Sequence, residues 1–211
     1  MLDTAKLLSP STFPALWRGR LETLQVNLGY RCNQTCQHCH VNAGPNRTEV
    51  MRRDTIDQVL AFIDRQEIGA LDLTGGAPEL NPHFRYLVSE ARRRGLRVMD
   101  RCNLSILEEP GQDTLAGFLA DQQVEVVASL PCYLQENVDR QRGKGVYDAS
   151  IRGLRQLNRL GYGMPGSDRI LNLVYNPLGP VLPPPHEALA EEYKRRLLEE
   201  HGSHLNGLFR T

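Results

Sequence analysis

Three cysteines fall within eight residues of this 211-residue chain, at Cys32, Cys36 and Cys39. Thiolates are the usual ligands of iron–sulfur clusters, and a CxxxCxxC spacing differs from that of bacterial ferredoxins. A cubane has four iron atoms, so three cysteines leave one iron without a protein ligand. That iron can chelate the amino and carboxylate groups of S-adenosylmethionine, and one electron from the cluster then breaks the S–C5′ bond. The spacing therefore predicts a [4Fe–4S] site for radical chemistry.

A zinc ion is the main alternative for this loop, because His38 or His40 could complete a Cys3His tetrahedron. The five cysteines do not indicate a disulfide framework, since their number is odd and three of them are clustered. In a cytosolic chain such a pattern is typical of metal binding or catalysis. The spacing of the cysteines alone does not decide between an iron–sulfur cluster and a zinc ion.

Charge and hydropathy exclude several classes of partner. Lys plus Arg and Asp plus Glu each number 25, so a balanced chain gives no electrostatic reason to expect nucleic acid or a membrane surface. No long uncharged apolar run could span a bilayer. The N-terminal Met1–Pro10 lacks the basic-then-apolar layout of a signal peptide. We therefore expect a cytoplasmic protein without nucleic-acid or membrane partners.

Short β-branched runs alternate with longer amphipathic stretches along the chain. The predicted strands are Leu21–Tyr30, Ala70–Thr74, Leu96–Met99, Val124–Leu130 and Ile170–Tyr175. The predicted helices are Val50–Gln66, Pro82–Arg94, Gln112–Asp121, Asp148–Leu160 and Glu187–Glu200. Such alternation indicates βαβ units, a parallel sheet and right-handed crossovers.

The polar and cysteine-containing segments all follow the predicted strands, where ligands bind in parallel α/β sheets. We expect an α/β fold that is a partial (β/α)6-type barrel over residues 1–180. The proline-rich Leu178–Pro185 predicts a linker, so residues 181–211 are assigned to a linker and a helical C-terminal segment that begins a further domain. Five strands are a poor place to end a barrel, so we expect a sixth strand to be missing.

The loop and the turn after the second predicted strand together resemble the radical S-adenosylmethionine superfamily. Thr74–Glu79 is similar to the family's glycine-rich motif, which implies that the backbone of Gly75, Gly76 and Ala77 holds the methionine amino group. Alone, these residues are also typical of a tight βα turn. The resemblance further implies that His38 packs near adenine and that Ser129 meets the ribose or carboxylate.

Within the superfamily the chain resembles the arsenosugar biosynthesis radical enzymes, from about Phe13 to its end. The segments that carry this resemblance are Asn27–His40, Leu73–Glu79, Asp100–Asn103, Ala128–Tyr133 and Asn172–Gly179. It implies transfer of the 5′-deoxyadenosyl group to a trivalent dimethylarsenic compound, with an electron donor such as flavodoxin or ferredoxin. Family members usually extend beyond this C-terminus.

Cys102 and Cys132 follow the third and fourth predicted strands and are candidate catalytic residues. Trivalent arsenic is a soft centre, and soft thiolates bind such centres. The alternative is a pair of inert buried cysteines. Two other functions stay open for the chain: a radical enzyme for another substrate, such as a peptide or cofactor, and an inactive truncated module that binds zinc or a cluster.

Overall fold

The computed structural model describes residues 12, 14, 17, 19–177, 179 and 182–210. Three predictions therefore concern parts of the chain outside the described residues: the absence of a signal peptide in Met1–Pro10, the start of the linker at Leu178, and the domain boundary between residues 180 and 181. Among the described helices, none combines the length and the apolarity that a membrane span needs.

Six parallel strands form one sheet in simple chain order. They are β1 (Thr23–Asn27), β2 (Ala70–Thr74), β3 (Arg97–Asp100), β4 (Glu125–Ser129), β5 (Leu171–Tyr175) and β6 (Gly207–Arg210). Because each strand pairs with the next one in the chain, every connection crosses over in the same sense along the sheet. The predicted α/β fold, a partial barrel of the (β/α)6 type, is confirmed.

In the described part of the chain, six α-helices cover the sheet. They are α1 (Arg53–Gln66), α2 (Phe84–Arg93), α3 (Leu115–Asp121), α4 (Gln135–Arg142), α5 (Val146–Arg159) and α6 (His186–His201). Two short 3-10 helices follow β2 and β3, at Pro78–Leu80 and Leu104–Glu108. Helix α1 shows why these segments fold as they do: Ile56, Leu60 and Ile63 recur at helical spacing and all three are buried.

The expectation of a missing sixth strand was wrong. Strand β6 pairs in parallel with β5, with Leu208 opposite Leu173. The helix that precedes it, α6, buries Leu189, Tyr193 and Leu197 in the same apolar core as the rest of the sheet. The apolar run near residue 208 is therefore the last strand of this sheet. A domain beyond residue 211 stays a prediction.

Candidate functional site

The cysteine loop leaves β1 and folds back on itself. The backbone N–H of Cys32 donates to the Gly44 carbonyl (3.1 Å), and that of Gly44 donates to Tyr30 (3.0 Å). A second turn forms where the N–H of Cys39 donates to the carbonyl of Cys36 (3.2 Å). These bonds bring Cys32, Cys36 and Cys39 to the wall of one cavity of about 230 Å³.

The loop sulfurs receive hydrogen bonds from the protein. The side-chain amide of Asn103 donates to Cys32 Sγ (3.1 Å), and the Ala43 N–H donates to Cys39 Sγ (3.3 Å). Burial raises the pKa of the Cys32 thiol, although bonds from Asn103 and the Gln34 backbone oppose the rise. Such donors stabilise negative sulfur and tune iron–sulfur potentials, so the environment suits thiolates bound to a metal.

The three loop sulfurs are not drawn together as tightly as the ligands of one zinc ion would be. Ligands about 2.3 Å from a tetrahedral zinc lie roughly 3.8 Å from one another. Among the described residues, only Glu79, Asp100 and Cys102 bring three candidate ligand atoms within 4.8 Å of each other, so at least one pair of the loop sulfurs lies farther apart than that. A cubane holds its thiolates on separate iron atoms and needs this wider spacing.

The glycine turn after β2, Gly75–Ala77, packs against the start of the cysteine loop. The N–H groups of Gly76 and Ala77 donate to Gly29 and Arg31 (2.9 Å each). A Cβ on Gly76 would lie 2.3 Å from the Arg31 carbonyl oxygen, so only glycine permits this approach. Gly75 and Gly76 line the cavity, and Ala77 is buried. An ammonium group can only donate hydrogen bonds, so a cofactor ammonium would have to meet carbonyl oxygens here.

His38 and Ser129 lie between this cavity and a second one of about 170 Å³, since both residues line both cavities. The second cavity extends towards Pro131, Val174 and Asn176. Burial, with the positive charge of Arg142 as a smaller cause, lowers the pKa of His38. The ring is therefore neutral at pH 7, which suits packing near an uncharged base. The structure thus places both residues at the site, and their roles stay predictions.

The two remaining cysteines do not line either cavity. Arg101 lines both, and successive side chains alternate between the faces of an extended segment, so its neighbour Cys102 points to the helix side. Cys102 is fully buried, and burial raises the pKa of its thiol well above the usual value. Cys132 is half-buried and accepts hydrogen bonds from the Leu134 N–H and the Asn137 amide (3.4 Å each). Their role as an arsenic-binding pair stays a prediction.

Sequence reasoning missed a buried acidic pair behind the turn. The Asp100 side chain is 0% exposed and lies beside Glu79 and Cys102. Burial first, and the Glu79 carboxyl second, raise the pKa of Asp100 well above its usual value. Burial of the two carboxyl groups beside each other therefore disfavours the state in which both are ionised.

This acidic pair predicts a pH-dependent stability. The unfolded Asp100 carboxyl loses its proton near pH 3.9, whereas the folded one keeps it to higher pH because its pKa is raised. The contribution of this carboxyl to the free energy of unfolding is therefore complete below about pH 4 and is lost as the pH rises towards the folded pKa. We expect the wild-type free energy of unfolding to fall by up to about 1.4 kcal/mol for each pH unit relative to Asp100→Asn. Urea unfolding at several pH values from 5 to 8 measures this difference, and parallel curves would contradict it.

Gln34, Arg101 and Arg142 also line the cavity, and sequence reasoning did not single them out. Arg101 directly follows β3 and binds Asp72 through two bonds (Nε to Oδ1 2.9 Å, Nη2 to Oδ2 2.8 Å). Its position after a strand was the available signal. Arg142 had none, because it belongs to α4, a helix with Val138 as its one apolar residue.

Comparison with known proteins gives the same assignment. The family model for the radical SAM superfamily matches residues 26–174. Mycofactocin maturase MftC from Mycolicibacterium smegmatis is 27% identical over 139 residues, covering 66% of this chain and 35% of the relative. A probable GTP 3′,8-cyclase from Sulfolobus acidocaldarius is 30% identical over 147 residues, covering 65% and 45%. The chain thus spans less than half the length of these relatives.

Solved structures confirm the fold. Streptococcus suis SuiB bound to S-adenosylmethionine superposes with a TM-score of 0.67 over 90% of this chain and 40% of SuiB, at 12% identity. Together, the family match over most of the chain and the shared sheet show that the protein belongs to the radical SAM superfamily, whose cofactors are a [4Fe–4S] cluster and S-adenosylmethionine.

Proposed function

We propose that the chain cleaves S-adenosylmethionine reductively and transfers its 5′-deoxyadenosyl group to a trivalent dimethylarsenic compound. Methionine leaves with the electron pair of the S–C5′ bond, arsenic becomes pentavalent as the As–C5′ bond forms, and the electron that starts cleavage is returned, so no further oxidant is consumed. In this proposal Cys32, Cys36 and Cys39 ligate the cluster. The observation that carries the proposed cleavage is the meeting of these cysteines and the glycine turn on one cavity at the carboxyl ends of the strands.

The cluster, when bound, supplies the electron that breaks the S–C5′ bond. The chain's own residues hold and orient the reactants around it. Carbonyl oxygens of Gly75 and Gly76 receive the methionine ammonium, while the neutral His38 ring packs near adenine. Ser129 reaches the ribose or the carboxylate from the end of β4. Arg101, on the same wall, offers positive charge for the carboxylate, although Asp72 offsets part of it.

The arsenic substrate is supported by the sequence resemblance and by the size of the second cavity. At about 170 Å³ this cavity is smaller than the roughly 300–1,000 Å³ of typical ligand pockets, and dimethylarsenite is a small molecule. It borders His38 and Ser129, where the C5′ atom would be expected. Cys132 is the more accessible thiol for arsenic, whereas Cys102 would require the helix layer to open.

A peptide substrate is the second candidate. It is favoured by the similarity to mycofactocin maturase and by the shared fold with SuiB, which has been seen with its precursor peptide SuiA. Because the chain spans 35% of MftC and 49% of that SuiB chain, substrates of the whole protein are proposals in either case. A flavodoxin or ferredoxin as electron donor and a cytoplasmic location belong to the same proposal.

Product analysis separates the two candidates. The anaerobically reconstituted protein is incubated with S-adenosylmethionine, reductant and dimethylarsenite, and the products are identified by mass spectrometry. We expect a dimethylarsinoyl-adenosine product that depends on all three additions. Formation of 5′-deoxyadenosine alone, with dimethylarsenite unchanged, would contradict the arsenic substrate and leave cleavage intact.

Replacing Cys102 with alanine tests whether the Cys102 thiol contacts the arsenic substrate. Its burial away from both cavities predicts a loss of stability of about 1 kcal/mol and an unchanged ratio of transfer product to 5′-deoxyadenosine. Thermal unfolding and product analysis measure the two effects. A variant that still makes 5′-deoxyadenosine but has lost the transfer product would show that Cys102 reaches the substrate after all.

A further inference from the structure

Arg142 is a buried cation at the end of α4, with 3% of its surface exposed. Its hydrogen-bond acceptors are all neutral: Gln34 Oε1 (3.0 Å), Asn103 Oδ1 (2.5 Å) and the Ser129 carbonyl oxygen. A guanidinium group stays charged in proteins. Burying a charge is costly unless an opposite charge compensates for it. None of its hydrogen-bond partners among the described residues supplies that charge.

Two hydrogen-bond partners of Arg142 also contact the proposed cluster cysteines. Asn103 accepts from Arg142 through Oδ1 and donates to Cys32 Sγ through Nδ2 (3.1 Å). Gln34 Oε1 accepts from Arg142 and lies 3.4 Å from Cys36 Sγ. Arg142 itself lines the same cavity as the three cysteines. The neutral amides therefore stand between one buried positive charge and the sulfur atoms.

We propose that Arg142 is a positioning residue whose charge balances the anionic cluster and raises its reduction potential. A [4Fe–4S]2+ core with three thiolates carries one net negative charge, and one electron from a low-potential donor such as dithionite adds a second. A fixed positive charge in a poorly solvated site stabilises the reduced form more than the oxidised form. The inference rests on the proposed cysteine ligands and not on the arsenic substrate.

The test is a redox titration of the reconstituted full chain, followed by the electron paramagnetic resonance signal of the reduced cluster. At the midpoint potential of the wild type, we expect the ratio of reduced to oxidised cluster in Arg142→Gln to be about tenfold lower than in the wild type. This is a negative shift of about 59 mV for a one-electron couple. Arg142→Lys keeps the charge and should recover most of the wild-type potential.

Gln34→Glu gives the same test without removing the arginine. This nearly isosteric change places a carboxylate beside the guanidinium and should also shift the potential to more negative values. Arg152→Gln is the matched control, because Arg152 lies in α5 and pairs with Glu108 at a partly exposed site. It removes the same charge away from the cavity and should leave the potential unchanged.

Unchanged potentials in Arg142→Gln and Gln34→Glu, with the cluster assembled, would overturn this inference and leave the proposed cleavage intact. If Arg142→Gln assembles no cluster, the potential of Gln34→Glu decides: a negative shift supports the role of the charge, and no shift overturns it. A wild-type chain that assembles no cluster would instead overturn the proposed cysteine ligands themselves.

Discussion

Replacing any one of Cys32, Cys36 and Cys39 with alanine is expected to abolish reductive cleavage of S-adenosylmethionine. The three sulfurs line one cavity, and the loss of one leaves two protein ligands for a cubane that also needs an open iron. We expect the reconstituted variants to lose most of their bound iron and sulfide. The formation of 5′-deoxyadenosine should fall below detection.

Cys132→Ala is the matched control for these variants, since it removes a thiol that lines neither cavity. It should keep the wild-type iron content and the wild-type rate of 5′-deoxyadenosine formation. Cleavage that survives in Cys32→Ala, Cys36→Ala or Cys39→Ala would remove that cysteine from the ligand set.

Replacing Gly76 with alanine is expected to disrupt the site without touching a ligand. The new Cβ would lie 2.3 Å from the Arg31 carbonyl oxygen and 2.8 Å from its carbon, both too close for real contacts. These are backbone atoms next to Cys32, so relief requires the cysteine loop to move. We expect a loss of about 2 kcal/mol in stability and of most of the reconstituted cluster.

Gly117→Ala provides the comparison, because a Cβ at Gly117 in α3 meets no atom within 4 Å. Alanine is the better helix former, so this variant should be as stable as the wild type or slightly more stable. Thermal unfolding of the apoprotein and iron analysis after reconstitution measure both variants. A Gly76→Ala protein with normal stability and a full cluster would show that the contact with Arg31 does not position the loop.

Periodicity predicted most of the sheet, because five strands are short apolar runs bounded by turn residues. The prediction for β2 matches its observed bounds, and those for the other four strands overlap the observed ones. Strand β6 was missed because it has only four residues, Gly207–Arg210, and only Leu208 among them is buried. It also follows a charged helix. Helix α4 was missed because Gln135–Arg142 offers a single apolar residue, too few for a helical stripe.

The residues of the candidate site also fall into those that the sequence could predict and those that it could not. Residues close in sequence, the three cysteines and the glycine pair, were predictable because their spacing reflects local chemistry. The contacts of Asn103 with Cys32 and of Arg142 with Gln34 join residues 71 and 108 positions apart in the chain, so only the folded sheet reveals them. The buried pair of Glu79 and Asp100 was likewise hidden, since carboxylates are usually exposed and no spacing rule indicates their burial.

The most direct test of the central claim is pulsed electron paramagnetic resonance of the reduced protein with S-adenosylmethionine carrying a 15N-labelled amino group. An open iron held by three cysteines predicts about four irons and four sulfides per chain and a hyperfine coupling to the label. A single zinc without sulfide, or a fully assembled cluster that shows no coupling to the bound label, would contradict the account.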